Sequence, residues 1–322
     1  MIKINIKHND QSLSMDKLTF GTGVFTAYDE KESYFLLMDK YYENFKTFDT
    51  ARSYNQWLEG GENLSESILG QWMESRGNRE DIILVTKGGF PDNLKLKENV
   101  KNRITREDLT YDIDTSLSFL KTDYVDIFLL HRDDETKPVE EIMPILNDFV
   151  KAGKTRFIGV SNWKKERIEQ ANNFALEENL APLVISQLFF SLAQSTAEKF
   201  DDPTIVCMND EEYNWYEQNN MPVMAYTSQA KGFFSKYNTS TLSHSNIKRF
   251  LSEENIAIAQ RVKKLAEEFS ISPTCVALAY LTNNKVQTSA IIGSKNLAQL
   301  EDSMSVRDIL LSQAQISWLK EG

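Results

Sequence analysis

The run Val125-Asp126-Ile127-Phe128-Leu129-Leu130-His131 decides how the chain is read. Its first six residues, mostly branched or aromatic, form a strand candidate. Amphipathic helical patterns fill 105–120 before it and 139–152 after it. The same alternation spreads outward in both directions. Further strand candidates lie at 17–20, 46–48, Ile82–Val85, Arg156–Val160, Leu183–Ile185, Pro222–Tyr226 and Ser289–Ile292. Helix candidates lie at 33–43, 62–76, 163–178, 209–219, 255–269 and 273–283, with a C-terminal pair near 297–303 and 312–320. Ser272-Pro273 sets a cap donor before a first-turn proline, and Ser312 with Gln315 has capping-box spacing.

Eight strand–helix units in 322 residues suit a closed (β/α)8 barrel better than an open sheet of five or six strands. The expectation is a single domain over residues 1–322, in the α/β class. Residues 2–6 and 17–20 read as short strands on either side of the polar run His8-Asn9-Asp10-Gln11-Ser12, giving an N-terminal hairpin or lid-like extension. Two long irregular stretches, 190–208 and 227–254, follow strand candidates, where such folds carry functional loops.

Composition narrows the function. Hydrophobic residues at 41% and charged residues at 26% are those of a globular chain, not a disordered or disulfide-rich one. A formal charge of -11 argues against nucleic acid and against an anionic membrane as partners. Cys207 and Cys275, with His8, His131 and His244, offer no zinc-like or disulfide spacing, so no metal is expected. The opening Met1-Ile2-Lys3-Ile4-Asn5-Ile6-Lys7 alternates like a strand and lacks a signal-peptide core, which points to the cytoplasm. A homo-oligomer is compatible with the acidic exterior, which shows no interface stripe.

In such a barrel, reactive groups sit at the C-terminal ends of the strands. Phe48-Asp49-Thr50-Ala51-Arg52-Ser53-Tyr54-Asn55 puts Asp49 at one strand end and Tyr54 five positions on. Lys87 ends the next strand, and His131 follows the next. Together they make a coherent acid. A phenol has an ordinary pKa near 10 and gives up its proton reluctantly. A lysine ammonium within about 4 Å favours phenolate by roughly 4 kcal/mol at an effective dielectric of about 20, on the order of three pKa units. Asp49 is the counter-ion expected to keep Lys87 charged, and His131 can hold a carbonyl oxygen beside the phenol. Gly21-Thr22-Gly23 is open to two readings, a tight turn or a nucleotide-contacting loop lacking the third fingerprint glycine.

These residues resemble the aldo-keto reductase superfamily, whose members share a (β/α)8 barrel and an Asp-Tyr-Lys-His tetrad. The resemblance spans nearly the whole chain. It rests on Phe48–Ala51 with Tyr54, Ser65-Glu66-Ser67-Ile68-Leu69-Gly70, Lys87, Asp126 through His131, Gly159-Val160-Ser161-Asn162 and Ser186-Gln187. It implies NADP(H), less often NAD(H), bound without a Rossmann domain. Ser161, Asn162 and Gln187 would then hold the nicotinamide, stacked on Tyr226. The pyrophosphate would lie along the loop Thr227-Ser228-Gln229-Ala230-Lys231-Gly232. The adenosine end would meet Gly293, Ser294, Lys295, Gln299 and Asp302. The chain departs from the family pattern at Asn55, where glycine usually follows the tyrosine. It departs again at Thr227-Ser228-Gln229 in place of Ser-Pro-Leu, at Ser303, and at Lys295, where many relatives carry arginine.

The implied reaction is NAD(P)H-dependent reduction of an aldehyde or ketone. Arg132, Trp57 and Trp163, with the 190–208 loop, suggest a mouth with aromatic walls and polar groups, suited to sugar-derived carbonyls as in bacterial members active in carbohydrate metabolism. For Arg132 and Asp133, a surface ion pair is an equal reading. An alternative from another class is an NADP-binding, redox-sensing regulatory subunit with little turnover. A Schiff-base barrel enzyme using Lys87 would instead need a lysine without a salt-bridge partner.

Overall fold

A computed structural model describes residues 3–8, 10–93, 100–237 and 245–322. Ile2, expected in the first strand, Asn9 and His244 lie outside the described residues. The chain opens with β1 (Ile4–His8) and β2 (Gln11–Met15), which pair as a two-stranded sheet. The hairpin therefore forms within 4–15. Residues 17–20, expected as its second arm as well as a barrel strand, serve only as β3 (Leu18–Gly21), the first barrel strand. The physical reason lies in Gln11-Ser12-Leu13-Ser14-Met15: Leu13 and Met15 are buried while Gln11, Ser12 and Ser14 are exposed, the period-two pattern of a half-buried strand.

Downstream, strands and helices alternate. In order they are α1 (Lys31–Tyr42), β4 (Thr47–Asp49), α2 (Leu64–Arg76), β5 (Ile83–Gly88), α3 (Arg106–Leu120), β6 (Val125–Leu130), α4 (Val139–Lys151), β7 (Thr155–Ser161), α5 (Lys165–Glu177) and β8 (Leu183–Phe189). Then come α6 (Ala197–Phe200), α7 (Asp210–Gln218), β9 (Val223–Tyr226), α8 (Phe233–Lys236), α9 (Ser245–Lys248), α10 (Glu253–Phe269), α11 (Pro273–Asn283), β10 (Thr288–Ile292), α12 (Leu297–Met304) and α13 (Gln313–Glu321). Strands β3 to β10 close a parallel barrel in the order β10-β3-β4-β5-β6-β7-β8-β9. Their residues are almost all buried, as in strands covered on both faces.

Two compact units divide the chain: Asn5–Met15 with Thr19–Ser186, and Asp16–Leu18 with Gln187–Gly322 and the opening residues through Ile4. In the first, an aromatic cluster backs β4. Phe48 lies 5.2 Å from Tyr41, 5.1 Å from Trp72 and 5.8 Å from Phe20, ring centre to ring centre. All four rings are fully buried, each stabilising the fold by about 2 kcal/mol or more through burial. Helices α2 and α3 approach closely at Gly70, where a Cβ would stand 2.2 Å from the Phe119 carbonyl oxygen. In the second unit, Ser272 caps α11 through Cys275 N at 3.0 Å with Pro273 at the first turn, and Ser312 with Gln315 forms the capping box of α13. Among the described residues, no helix is long and apolar enough to cross a membrane.

Candidate active site

Asp49 is the last residue of β4, paired in register with Val85 of β5, so its carboxylate stands at the strand's C-terminal edge. Beyond it the chain turns inward: Thr50 N donates to Val85 O at 2.9 Å, and Tyr54 N to Ala51 O at 3.1 Å. Lys87, the penultimate residue of β5, meets this turn. Its Nζ donates to Asp49 Oδ2 at 2.8 Å, to Thr50 O at 2.8 Å and to Tyr54 Oη at 2.7 Å. The Tyr54 hydroxyl also donates to Asp49 Oδ2 at 3.0 Å. Asp49 and Lys87 are enclosed, whereas Tyr54 is partly open. Burial pushes the Lys87 ammonium below the usual lysine range; Asp49 opposes that push without cancelling it.

His131 follows β6, its backbone N–H extending the ladder to Gly88 O at 2.8 Å. Its ring stands edge-on to Tyr54, 5.8 Å between centres, and 4.8 Å from Phe90. Its Nδ1 lies 3.1 Å from Ser53 Oγ. Thus the four residues singled out at strand ends share one end of the first unit. Ser53 and Phe90 join them; Ser53 went unnoticed beside Tyr54, and Phe90 carries no pattern that sequence alone would mark.

The side chains expected as substrate contacts part ways. Arg132 is buried, its guanidinium 5.1 Å over Phe90 and its Nη1 donating to His131 O at 2.8 Å. Asp133 pairs with Arg167 at 3.4 Å, which replaces the surface pair with Arg132. Trp57 is 46% exposed, whereas Trp163 is fully buried, with Arg167 5.1 Å over its ring. Trp163 is therefore a core ring and not a wall of the mouth.

The departure at Asn55 has a local cause. Its backbone is left-handed, φ 64°, a conformation that glycine adopts freely and asparagine tolerates best among the rest. The side chain adds a bond that glycine cannot make, Nδ2 to Phe25 O at 2.6 Å. Gly21-Thr22-Gly23 is a tight turn, with Phe25 N donating to Thr22 O at 3.0 Å and Thr22 Oγ1 to Thr50 Oγ1 at 2.8 Å. A Cβ on Gly23 would sit 3.7 Å from the Tyr54 ring.

Other candidate cofactor residues are distributed over both units. In the first, Ser161 ends β7 and Asn162 follows with φ 60°, its Nδ2 donating to Ser161 Oγ at 3.0 Å. In the second, Gln187 is buried on β8 and Tyr226 ends β9. After β9, Thr227, Ala230, Lys231 and Gly232 all have positive φ, at 54°, 47°, 55° and 83°. Within this loop the Ala230 and Gly232 N–H groups donate to Thr227 O and Gln229 O, each at 2.8 Å. Ser294 Oγ is buried with no hydrogen-bond partner among the described residues. Gly293 and Lys295 beside it are exposed. Gln299 accepts from Lys295 N at 3.0 Å, Asp302 from Ser272 Oγ at 2.8 Å, and Gln229 donates to Ser303 Oγ at 2.8 Å. An orphaned buried hydroxyl beside the exposed Lys295 ammonium suits a phosphate-bearing nucleotide.

Behind the tetrad lies a buried polar cluster that sequence spacing does not reveal. Asp112 of α3 pairs through Oδ1 with Arg52 Nε at 2.7 Å and Arg103 Nη2 at 2.6 Å; its Oδ2 accepts from Gly89 N at 2.8 Å. Glu66 of α2 accepts from Thr86 Oγ1 at 2.5 Å, while its Oε2 has no partner among the described residues. Burial pushes the Glu66 carboxyl up to about 7; the Thr86 and Ser116 hydroxyls and Arg52 pull it down, and Asp112 adds to the rise.

A closed parallel barrel with an Asp-Tyr-Lys-His set at strand ends defines a class of barrel oxidoreductases. A sequence profile of the Aldo/keto reductase family matches residues 17–321. Norsolorinic acid reductase B of Dothistroma septosporum is 27% identical over 314 residues, 94% of this chain and 76% of its own. An aryl-alcohol dehydrogenase [NADP(+)] of Phanerodontia chrysosporium is 27% identical, covering 91% of this chain and 76% of its own. The uncharacterized oxidoreductase YrpG of Bacillus subtilis is 27% identical, covering 96% and 92%. The crystal structure of the thermostable aldo-keto reductase Tm1743 superposes with a TM-score of 0.74 over 99% of both chains at 22% identity, a likeness of fold. The chain belongs to the aldo/keto reductase family and is an NAD(P)H-using oxidoreductase.

Proposed function

We propose that this protein uses NADPH to reduce a small, polar aldehyde or ketone, sugar-derived carbonyls first among them, with Tyr54 as the general acid. The observation that carries this reading is the triangle of Lys87 Nζ, Tyr54 Oη and Asp49 Oδ2, with sides of 2.7, 2.8 and 3.0 Å. A bound nicotinamide supplies hydride to the carbonyl carbon. Tyr54 then delivers its proton to the developing alkoxide. Lys87, held by Asp49 and by Thr50 O, places positive charge against the phenolate left behind. His131 orients the carbonyl from the side of the phenol, and Ser53 fixes its ring. Ser161, Asn162, Gln187 and Tyr226 are proposed to hold the nicotinamide. The turn at Gly21-Thr22-Gly23 is proposed to border it beside Tyr54. The loop through Thr227, Gln229 and Gly232 is proposed to meet the pyrophosphate, with Gly293, Ser294, Lys295, Gln299 and Asp302 at the adenosine end. The exposed Lys295 supports NADP over NAD through its charge.

For the substrate, Arg132 supplies a charged donor next to His131. The exposed Trp57 and Leu58 favour a second reading, an aryl carbonyl, in keeping with the aryl-alcohol dehydrogenase among the relatives. The test is nucleotide binding by tryptophan quenching, followed by NADPH oxidation with sugar, aliphatic and aryl aldehydes. Turnover with the sugar panel supports the first reading, and turnover confined to aryl aldehydes replaces it with the second. Tight NADPH binding without turnover on any carbonyl would shift the protein to a nucleotide-binding sensor. Tyr54→Phe should bind NADPH as the wild type does and lose at least about 100-fold in kcat, the usual worth of a positioned acid; near-normal turnover would remove Tyr54 from this role.

A further inference from the structure

We propose that Asp112 is a positioning residue that sets the geometry of Tyr54 and Lys87, an inference that rests on the reductase reading above. One enclosed carboxylate on α3 holds three segments at the C-terminal end of the strands. Through Oδ1 it pairs with Arg52, two residues before Tyr54, at 2.7 Å. Through Oδ2 it accepts from Gly89 N, two residues after Lys87, at 2.8 Å. Its third partner, Arg103 at 2.6 Å, also reaches Asp92 at 3.5 Å, across the bridge in which Asp92 and Lys101 exchange backbone bonds. The fit is close: a Cβ on Gly88 would stand 3.0 Å from Asp112 Cβ and 2.7 Å from Phe128 Cζ. The position next to Lys87 is thus a glycine against which Asp112 rests. Arg52 and Asp112 are both buried, so the pair is shielded from water and salt; Arg52 Nε meets the carboxylate as a charge contact and not as an aligned hydrogen bond. The Tyr54 hydroxyl itself bonds Asp49 and Lys87. The effect of Asp112 and its partners passes through the backbone of residues 52–54 and 87–89, where a displacement of about 1 Å is worth on the order of 100-fold in rate.

The test compares wild type, Asp112→Asn, Arg52→Gln and the double variant in the full-length protein. The readouts are NADPH affinity, kcat and KM for the best carbonyl, the pH profile of kcat, and the melting temperature. The expected result is NADPH affinity within about twofold of wild type and a fall in kcat of about 10- to 100-fold in each single variant. The double variant should be no worse than the poorer single, because both remove one contact. The pH profile should move, since a displaced Lys87 no longer serves the phenol in the same way. Folded single variants with kcat and pH profile unchanged, whatever their melting temperature, would overturn the proposal. If Asp112→Asn does not fold, Arg52→Lys, which keeps the charge and loses the Nε contact, decides by the same readouts. If the wild type itself turns over no carbonyl, the reductase reading fails separately. The clamp is then judged by ultraviolet titration of Tyr54, taken as the difference between wild type and Tyr54→Phe. A shifted Tyr54 titration in Asp112→Asn supports it, and an unchanged one overturns it.

Discussion

Glu66 shows how a single enclosed group can govern the response to pH. Its carboxyl titrates near 7 in the folded chain against an ordinary value of 4.5, because burial disfavours its charge. The native state therefore keeps a proton that the unfolded state releases. The resulting stabilisation is complete below about pH 4.5, declines as pH rises, and is gone above about pH 7. A rise of this size corresponds to roughly 3 kcal/mol. Glu66→Gln should flatten that decline, so that the variant melts closer to wild type at pH 5 than at pH 8, where it should melt higher. Parallel melting curves for the two proteins across that range would show that Glu66 does not titrate there. The lowered Lys87 acts in the opposite sense, wherever the unfolded chain binds the proton that the native state resists. Because the Glu66 charge itself helps hold the Lys87 proton, the comparison of Glu66→Gln with wild type reads Glu66 together with its effect on Lys87.

At the level of elements, the crossing of α2 and α3 depends on one missing side chain. A Cβ at Gly70 would stand 2.2 Å from a backbone oxygen, which cannot rotate away. Gly70→Ala should lower stability by about 1–3 kcal/mol through overpacking, despite the roughly 1 kcal/mol gained in helix propensity. A urea midpoint that rises instead would refute the close crossing. Strand and helix edges were readable wherever an apolar run met a polar or glycine boundary, as at Val125–Leu130 and Pro273–Asn283. The second arm of the hairpin is hard to read because Gln11-Ser12 resembles loop until the alternation through Met15 is counted. The tetrad was legible because strand ends in a barrel point its residues one way. The Arg52–Asp112 pair was not, because partners 60 positions apart leave no spacing signal; nor was the burial of Trp163, over whose ring Arg167 lies.

For the whole molecule, nucleotide binding and folding are linked. NADPH at about 100 times its Kd should stabilise the protein by roughly 2.7 kcal/mol, read as a rise in melting temperature that grows with nucleotide concentration. No rise with either NADPH or NADH would remove the proposed cofactor residues. The last barrel strand also has a temporal consequence. Ala290 N donates to Lys17 O at 2.9 Å, Ser289 Oγ to Asp16 O at 2.7 Å, and Lys17 Nζ to Thr282 O at 2.5 Å. On the ribosome, the segment around Asp16 and Lys17 waits for more than 260 further residues before these partners exist. Until then the side of the segment that meets β10 lacks those partners, and such strand edges are what other chains can capture. Slowing translation late in the message, before Ser289 is made, should therefore cost more yield than slowing it early.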